Sequence, residues 1–189
     1  TINEDAALEI LLTASDVEGD TLTFSALPDT NAVITSISED TLSLSSADNW
    51  NGNSTIMVVV SDGSGTDTTS FQLTVNAVND LPVVANPLSD ITVNEDAQDT
   101  VVADLNVVFM DVDEELEYSH VVEDTALVFA SVTNDTVTLQ FLPDANGSTN
   151  IIFTATNPTI RASVSDTMTI TILPVNDLPV LATIADTTI

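Results

Sequence analysis

The chain has 189 residues, 43% of them hydrophobic, with no cysteine and 1 basic against 30 acidic side chains, a formal net charge of −29. Such a surface repels nucleic-acid phosphates and anionic membranes and leaves cations as the natural partners, while the missing cysteines rule out disulfide staples. The apolar content and positive mean hydropathy separate the chain from acidic disordered tails, and no apolar run reaches the roughly 18 residues of a membrane helix.

Thr1-Ile2 leads into Asn3-Glu4-Asp5-Ala6, a phrase that returns behind Thr92-Val93 as Asn94-Glu95-Asp96-Ala97. Next comes an acidic turn with Asp16, Glu18 and Asp20 at alternate positions. Residues 21–25, 41–45 and 70–75 alternate β-branched or apolar residues with polar ones, which predicts strands with one buried face. Turn-forming Asn49-Trp50-Asn51-Gly52 and Ser61-Asp62-Gly63 separate them. Val78-Asn79-Asp80-Leu81-Pro82-Val83 then closes one copy and returns as Val175-Asn176-Asp177-Leu178-Pro179-Val180 at the end of the next.

The second copy keeps the landmarks in order. Asp111, Asp113 and Glu115 stand where Asp16, Glu18 and Asp20 stood; 136–141 and 167–172 alternate; Asn146-Gly147 follows Asn51-Gly52; Thr156-Asn157-Pro158 takes the place of Ser61-Asp62-Gly63. The final Thr188-Ile189 repeats the lead-in once more, so both ends are expected to continue into further repeats. Repetition at roughly 95 residues suits one small domain per copy, and turn signals every eight to twelve residues suit a sandwich of about seven strands. No segment carries helical periodicity.

Carboxylates at alternate positions of a tight loop turn their oxygens toward one point, as in the opening of calcium loops, and calcium takes six to eight hard oxygen ligands. Asp and Asn also favour turns without any metal. Recurrence of the clusters at matching landmarks is what favours the ion. His120, the single histidine, reads as a strand residue and supports no catalytic triad. Carboxylate pairs confined to turns, with few aromatics to hold a sugar, point away from an enzyme. The sequons at Asn53, Asn134 and Asn146 read as turn chemistry.

The Asn-Asp-Leu-Pro seam, the Asn-Glu-Asp phrase, the acidic turns and the stretch from Asn49 through Val60-Ser61-Asp62-Gly63 together resemble the cadherin-like tandem repeats of large bacterial surface proteins. The resemblance covers essentially the whole chain. It implies an all-β fold of two tandem Greek-key β-sandwich domains, cadherin- or immunoglobulin-like, joined end to end. The first is expected over 1–80 without its lead-in strand, the second over 81–179, and the lead-in strand of a following repeat over 180–189.

It also implies calcium between successive repeats. Transferred residue by residue, Glu4, Asn79, Asp80, Asp111, Asp113 and Asn157 would serve the central junction. Asp16, Glu18 and Asp62 would form an incomplete upstream site, and Glu95, Asn176 and Asp177 an incomplete downstream one. Two departures weaken the centre: the seam is one residue shorter than the family's linker, and Asn157 replaces the aspartate found at Asp62. The implied role is a calcium-stiffened, non-enzymatic spacer of an extracellular, surface-attached bacterial adhesin. Its partners would be calcium and neighbouring repeats, with neither nucleic acid nor membrane insertion. The alternative is a polysaccharide-binding or homophilic module, with Trp50 as a stacking residue or, more simply, a cap on the core edge.

Overall fold

The computed structural model describes residues 1–182 and shows two compact units, Thr1–Asn79 and Asp80–Ile189. The first contains β1 (Ile2–Asn3), β2 (Ala7–Leu11), β3 (Thr23–Pro28), β4 (Val33–Ser38), β5 (Thr41–Ser46), β6 (Gly52–Ser61) and β7 (Thr66–Asn76). They form one sheet in the order β1-β7-β6-β3 and another in the order β2-β5-β4. Chain-adjacent strands β2 and β3 lie in different sheets, as do β3 and β4, and β5 and β6, giving a Greek-key sandwich. β1 pairs parallel to β7, whereas β3–β6 and β6–β7 are antiparallel.

The alternation legible in the sequence explains the layers. Leu42 and Leu44 of β5 face Ile56 and Val58 of β6, Leu73 and Val75 of β7, Val33 and Ile2 in one core, while intervening residues such as Thr55 point to solvent. Burying a side chain of this size is worth about 1.5–3 kcal/mol, so each strand holds its register through its inward set. Trp50 packs against the edge of this core.

The second unit repeats the plan with β9 (Ile91–Asn94), β10 (Thr100–Asp104), β12 (Glu117–Val122), β13 (Val128–Thr133), β14 (Thr136–Phe141), β15 (Gly147–Thr156) and β16 (Ser163–Leu173) in sheets β12-β15-β16-β9 and β10-β14-β13. It adds β8 (Val83–Val84), antiparallel to β11 (Phe109–Met110), and one helical turn, α1 (Leu105–Val108). That turn, which no periodicity announced, is capped by Asp104, whose side chain accepts from the Asn106 main-chain N–H. Its core includes Phe109, Val137, Leu139, Ile151, Phe153, Met168 and Ile170. His120 lies on β12 with Nε2 3.0 Å from the Ala130 carbonyl and its ring beside Phe153. The lead-in strand expected at 180–189 falls mostly on 183–189, outside the described residues; 180–182 belongs to no strand. No helix among the described residues is long and apolar enough to cross a membrane.

Candidate metal centres

The acidic landmarks occupy loops that the strand ends hold in place. In the first unit the β2–β3 loop and the β6–β7 turn bring Asp16, Asp20 and Asp62 together, one carboxylate oxygen from each lying within 4.8 Å of the others. Asp16 Oδ1 accepts the Asp20 N–H at 2.9 Å, curling the loop, and Gly19 at φ 82 supplies the left-handed residue that the curl requires. Asp62 Oδ1 accepts the N–H groups of Gly65 and Ser64 at 2.6 and 2.7 Å, which hold its carboxyl below the ordinary aspartate range. Glu18 is exposed and outside this trio. Asp20, the last acid of the alternate triplet, stands in it instead.

At the other landmark Glu4 is 5% exposed, and its main-chain N–H donates to Asn76 O. Its Oε1 accepts the Val78 N–H at 2.6 Å, tying the chain leaving β7 back onto the unit; its Oε2 is buried without a hydrogen-bond partner. Glu95 repeats the device: its N–H donates to Leu173 O, Oε1 accepts the Val175 N–H at 2.5 Å, and Oε2 accepts from Asn146 Nδ2 at 3.1 Å. The Asn-Glu-Asp phrase therefore has a structural task in each unit, a charge-assisted bond to the outgoing main chain. Asn79 is partly buried at the end of the first unit.

Beside Glu95, one carboxylate oxygen each of Asp96, Asp144 and Asp177 lie within 4.8 Å of one another. Asp96 Oδ1 accepts the Asp144 N–H at 3.1 Å, the same bond that Asp5 Oδ1 accepts from Asn49 at 3.1 Å in the first unit. Lost hydration, then repulsion from Asp144, Asp96 and Glu95, pushes the Asp177 carboxyl above the ordinary aspartate value. Asn176 donates to the Asp177 carbonyl at 2.9 Å. Sequence reasoning did not choose Asp96, and it offered Asp144, with Asp48, only as a weak candidate acid of the turn before β15 and β6.

Within the second unit the remaining acids form a hydrogen-bonded loop. Asp111 Oδ1 accepts the N–H groups of Asp113 and Glu114 at 3.0 and 3.1 Å, and Asp113 Oδ2 accepts the Asp80 N–H at 2.8 Å. Asn157, 0% exposed, repeats the turn of Asp62, its Oδ1 accepting from Thr159 and Ile160. Its Nδ2 donates to Asp111 Oδ2 at 2.9 Å. The amide thus supplies a positive edge where the first unit sets two carboxylates side by side.

These donors fit a hard divalent cation. They are carboxylate oxygens in loops; Glu4 Oε2 is buried without a hydrogen-bond partner, and lost hydration together with neighbouring carboxylates raises the Asp177 carboxyl. Comparison with family models matches residues 1–76 to the cadherin-like domain. That match spans nearly the whole of the first unit.

A comparison with curated proteins gives no match. Among solved structures, the chain is similar to human protocadherin-24 EC1-2, 19% identical over 90% of this chain and 88% of that one, with a TM-score of 0.45. It is similar to the titin Z1Z2 domains in complex with telethonin, 16% identical over 93% and 92% of the two chains, with a TM-score of 0.38. It is also similar to an endo-fucoidan hydrolase of glycoside hydrolase family 107, 20% identical with a TM-score of 0.39; the match covers 93% of this chain and only 28% of that enzyme.

Proposed function

We propose that the chain is a pair of calcium-binding spacer repeats from an extracellular bacterial adhesin, stiffened by calcium shared at the repeat seams so that a distal adhesive module is held away from the cell. The chain contributes no catalysis on this reading. The observation that carries it is the convergence of carboxylates at the repeat landmarks, Asp16, Asp20 and Asp62 in one unit and Asp96, Asp144 and Asp177 in the other. Glu4, Asn79, Asp80, Asp111 and Asp113, with Asn157 as a neutral member, are the proposed set for the seam between the two copies. Glu18, Glu95 and Asn176 are proposed as outer members of the terminal sets.

Without metal, clustered carboxylates repel and loosen their loops; with calcium, the ion neutralises them and fixes the loops through shared oxygens. Extracellular modules bind calcium at about 10⁻⁴–10⁻³ M, and ten- to hundred-fold saturation then stabilises by roughly 1–3 kcal/mol. Thermal melts in chelator and in millimolar calcium test the reading. Calcium should raise the melting temperature of the native chain, and Asp16→Ala, Asp113→Ala and Asp144→Ala should each reduce the rise. Superimposable melts with and without calcium would sink it.

A further inference from the structure

Two asparagine–glycine pairs stand at matching places, Asn51-Gly52 where β6 begins and Asn146-Gly147 where β15 begins. Neither asparagine belongs to a strand, and both are exposed to water. The loops that carry them are alike: Asp5 Oδ1 accepts the Asn49 N–H and Asp96 Oδ1 accepts the Asp144 N–H, each at 3.1 Å. The glycines are alike too. Both have φ 146, and a Cβ on either would meet a covering side chain, Trp50 at 3.0 Å or Leu127 at 3.3 Å. What differs is the hold on the asparagine. Asn146 Nδ2 donates to Glu95 Oε2 at 3.1 Å. The corresponding oxygen of the first unit, Glu4 Oε2, is buried without a hydrogen-bond partner, so the Asn51 amide is not held there.

An asparagine before glycine carries its own nucleophile, the main-chain nitrogen of the next residue, which no Cβ crowds. That nitrogen gives up its proton to hydroxide and bonds to the asparagine Cγ. The bond from Cγ to the side-chain nitrogen breaks, ammonia leaves, and a cyclic succinimide remains. Water then opens the ring at either carbonyl, giving aspartate or isoaspartate; the net change takes in one water and releases one ammonia. Attack requires the side chain to swing toward the following nitrogen, and a hydrogen bond to a charged acceptor resists that swing. We propose that Asn51 is a site of spontaneous deamidation in the folded chain, and that Glu95 protects Asn146 from the same reaction. Conversion places a new carboxylate in the loop beside Glu4, and the isoaspartate form inserts a methylene into the main chain where β6 begins. The first unit thereby gains negative charge with age, without an enzyme. The reaction does not depend on the calcium reading.

Peptide mapping by mass spectrometry tests this on the full chain aged in warm, mildly alkaline buffer. Chelator is present so that no cation competes for Glu95. The same chain unfolded in guanidinium gives the rate that each pair has without the fold. Unfolded, the two pairs should convert at similar rates. Folded, Asn146 should fall behind Asn51 by about ten- to hundred-fold, the factor that a hydrogen bond to a charged group supplies. On ion exchange, a more acidic species should accumulate in the native chain and not in Asn51→Gln. Equal rates at the two pairs in the folded chain, or a faster Asn146, would overturn the proposal. So would an Asn51 amide that stays intact in the folded chain while the unfolded chain converts. An acidic species that still accumulates in Asn51→Gln would place the reaction at another residue and overturn it as well.

Discussion

Asn157 and Asp62 show how much one atom changes at a turn. Both hold their turn through Oδ1, yet only the amide gives Asp111 a hydrogen bond. Replacing Asn157 by Asp keeps the turn and sets two carboxylates against each other in a buried place. We expect Asn157→Asp to cost about 1–3 kcal/mol without metal, with calcium restoring most of it; paired melts of the variant in chelator and calcium check this. Asp29 offers a metal-free counterpart. The Ser54 hydroxyl first, then the Thr55 main chain, hold its carboxyl below the ordinary value, and Ser54 donates to Oδ1 at 2.8 Å. A depressed carboxyl contributes stability above the unfolded value of about 3.9 and loses it as pH falls through the folded value. In Ser54→Ala the Asp29 resonance should titrate closer to an ordinary aspartate, and the loss of stability on acidification should shrink.

At the scale of elements, the strands were legible because their alternation is strict. The predicted 136–141 strand is β14, and 41–45 falls within β5. The 21–25 segment begins two residues later, at Thr23, because Thr21 and Leu22 still belong to the acidic loop. Helix α1 was invisible because four residues are too few to show a period, and its Asp104 cap looks like any other turn aspartate. The glycines opening β6 and β15 illustrate a constraint that composition hides. Gly52 has φ 146, and a Cβ on it would meet Trp50 Cζ2 at 3.0 Å. Gly52→Ala should therefore destabilise the unit by about 1–3 kcal/mol through backbone strain, with a shift in Trp50 fluorescence; urea unfolding followed by that fluorescence measures both.

For the whole molecule, charge dominates. A net charge of −29 destabilises compact states by self-repulsion, and salt screens it over about 30 Å at 0.01 M but only about 3 Å at 1 M. In chelator the melting temperature should rise with sodium chloride. Calcium at the same ionic strength should raise it further, because a shared ion acts at particular oxygens and screening does not. Equal effects of the two salts would leave no place for specific ions.

The sequence by itself determined the repeat, the all-β sandwich and the turns that carry the acids, since all three rest on local spacing and residue chemistry. It also placed Glu4 and Glu95 at matching landmarks, though not their bonds to Val78 and Val175, which join residues far apart in the chain. Only the tertiary structure decided which acids of a loop converge, Asp20 rather than Glu18 and Asp144 beside Asp96, because convergence depends on where loops from different strands end. The tertiary structure also decided how the segment entering the second unit covers that unit's edge. Leu-Pro-Val reads alike at both seams, and only the packing of Val84 and Leu88 shows what that phrase is for.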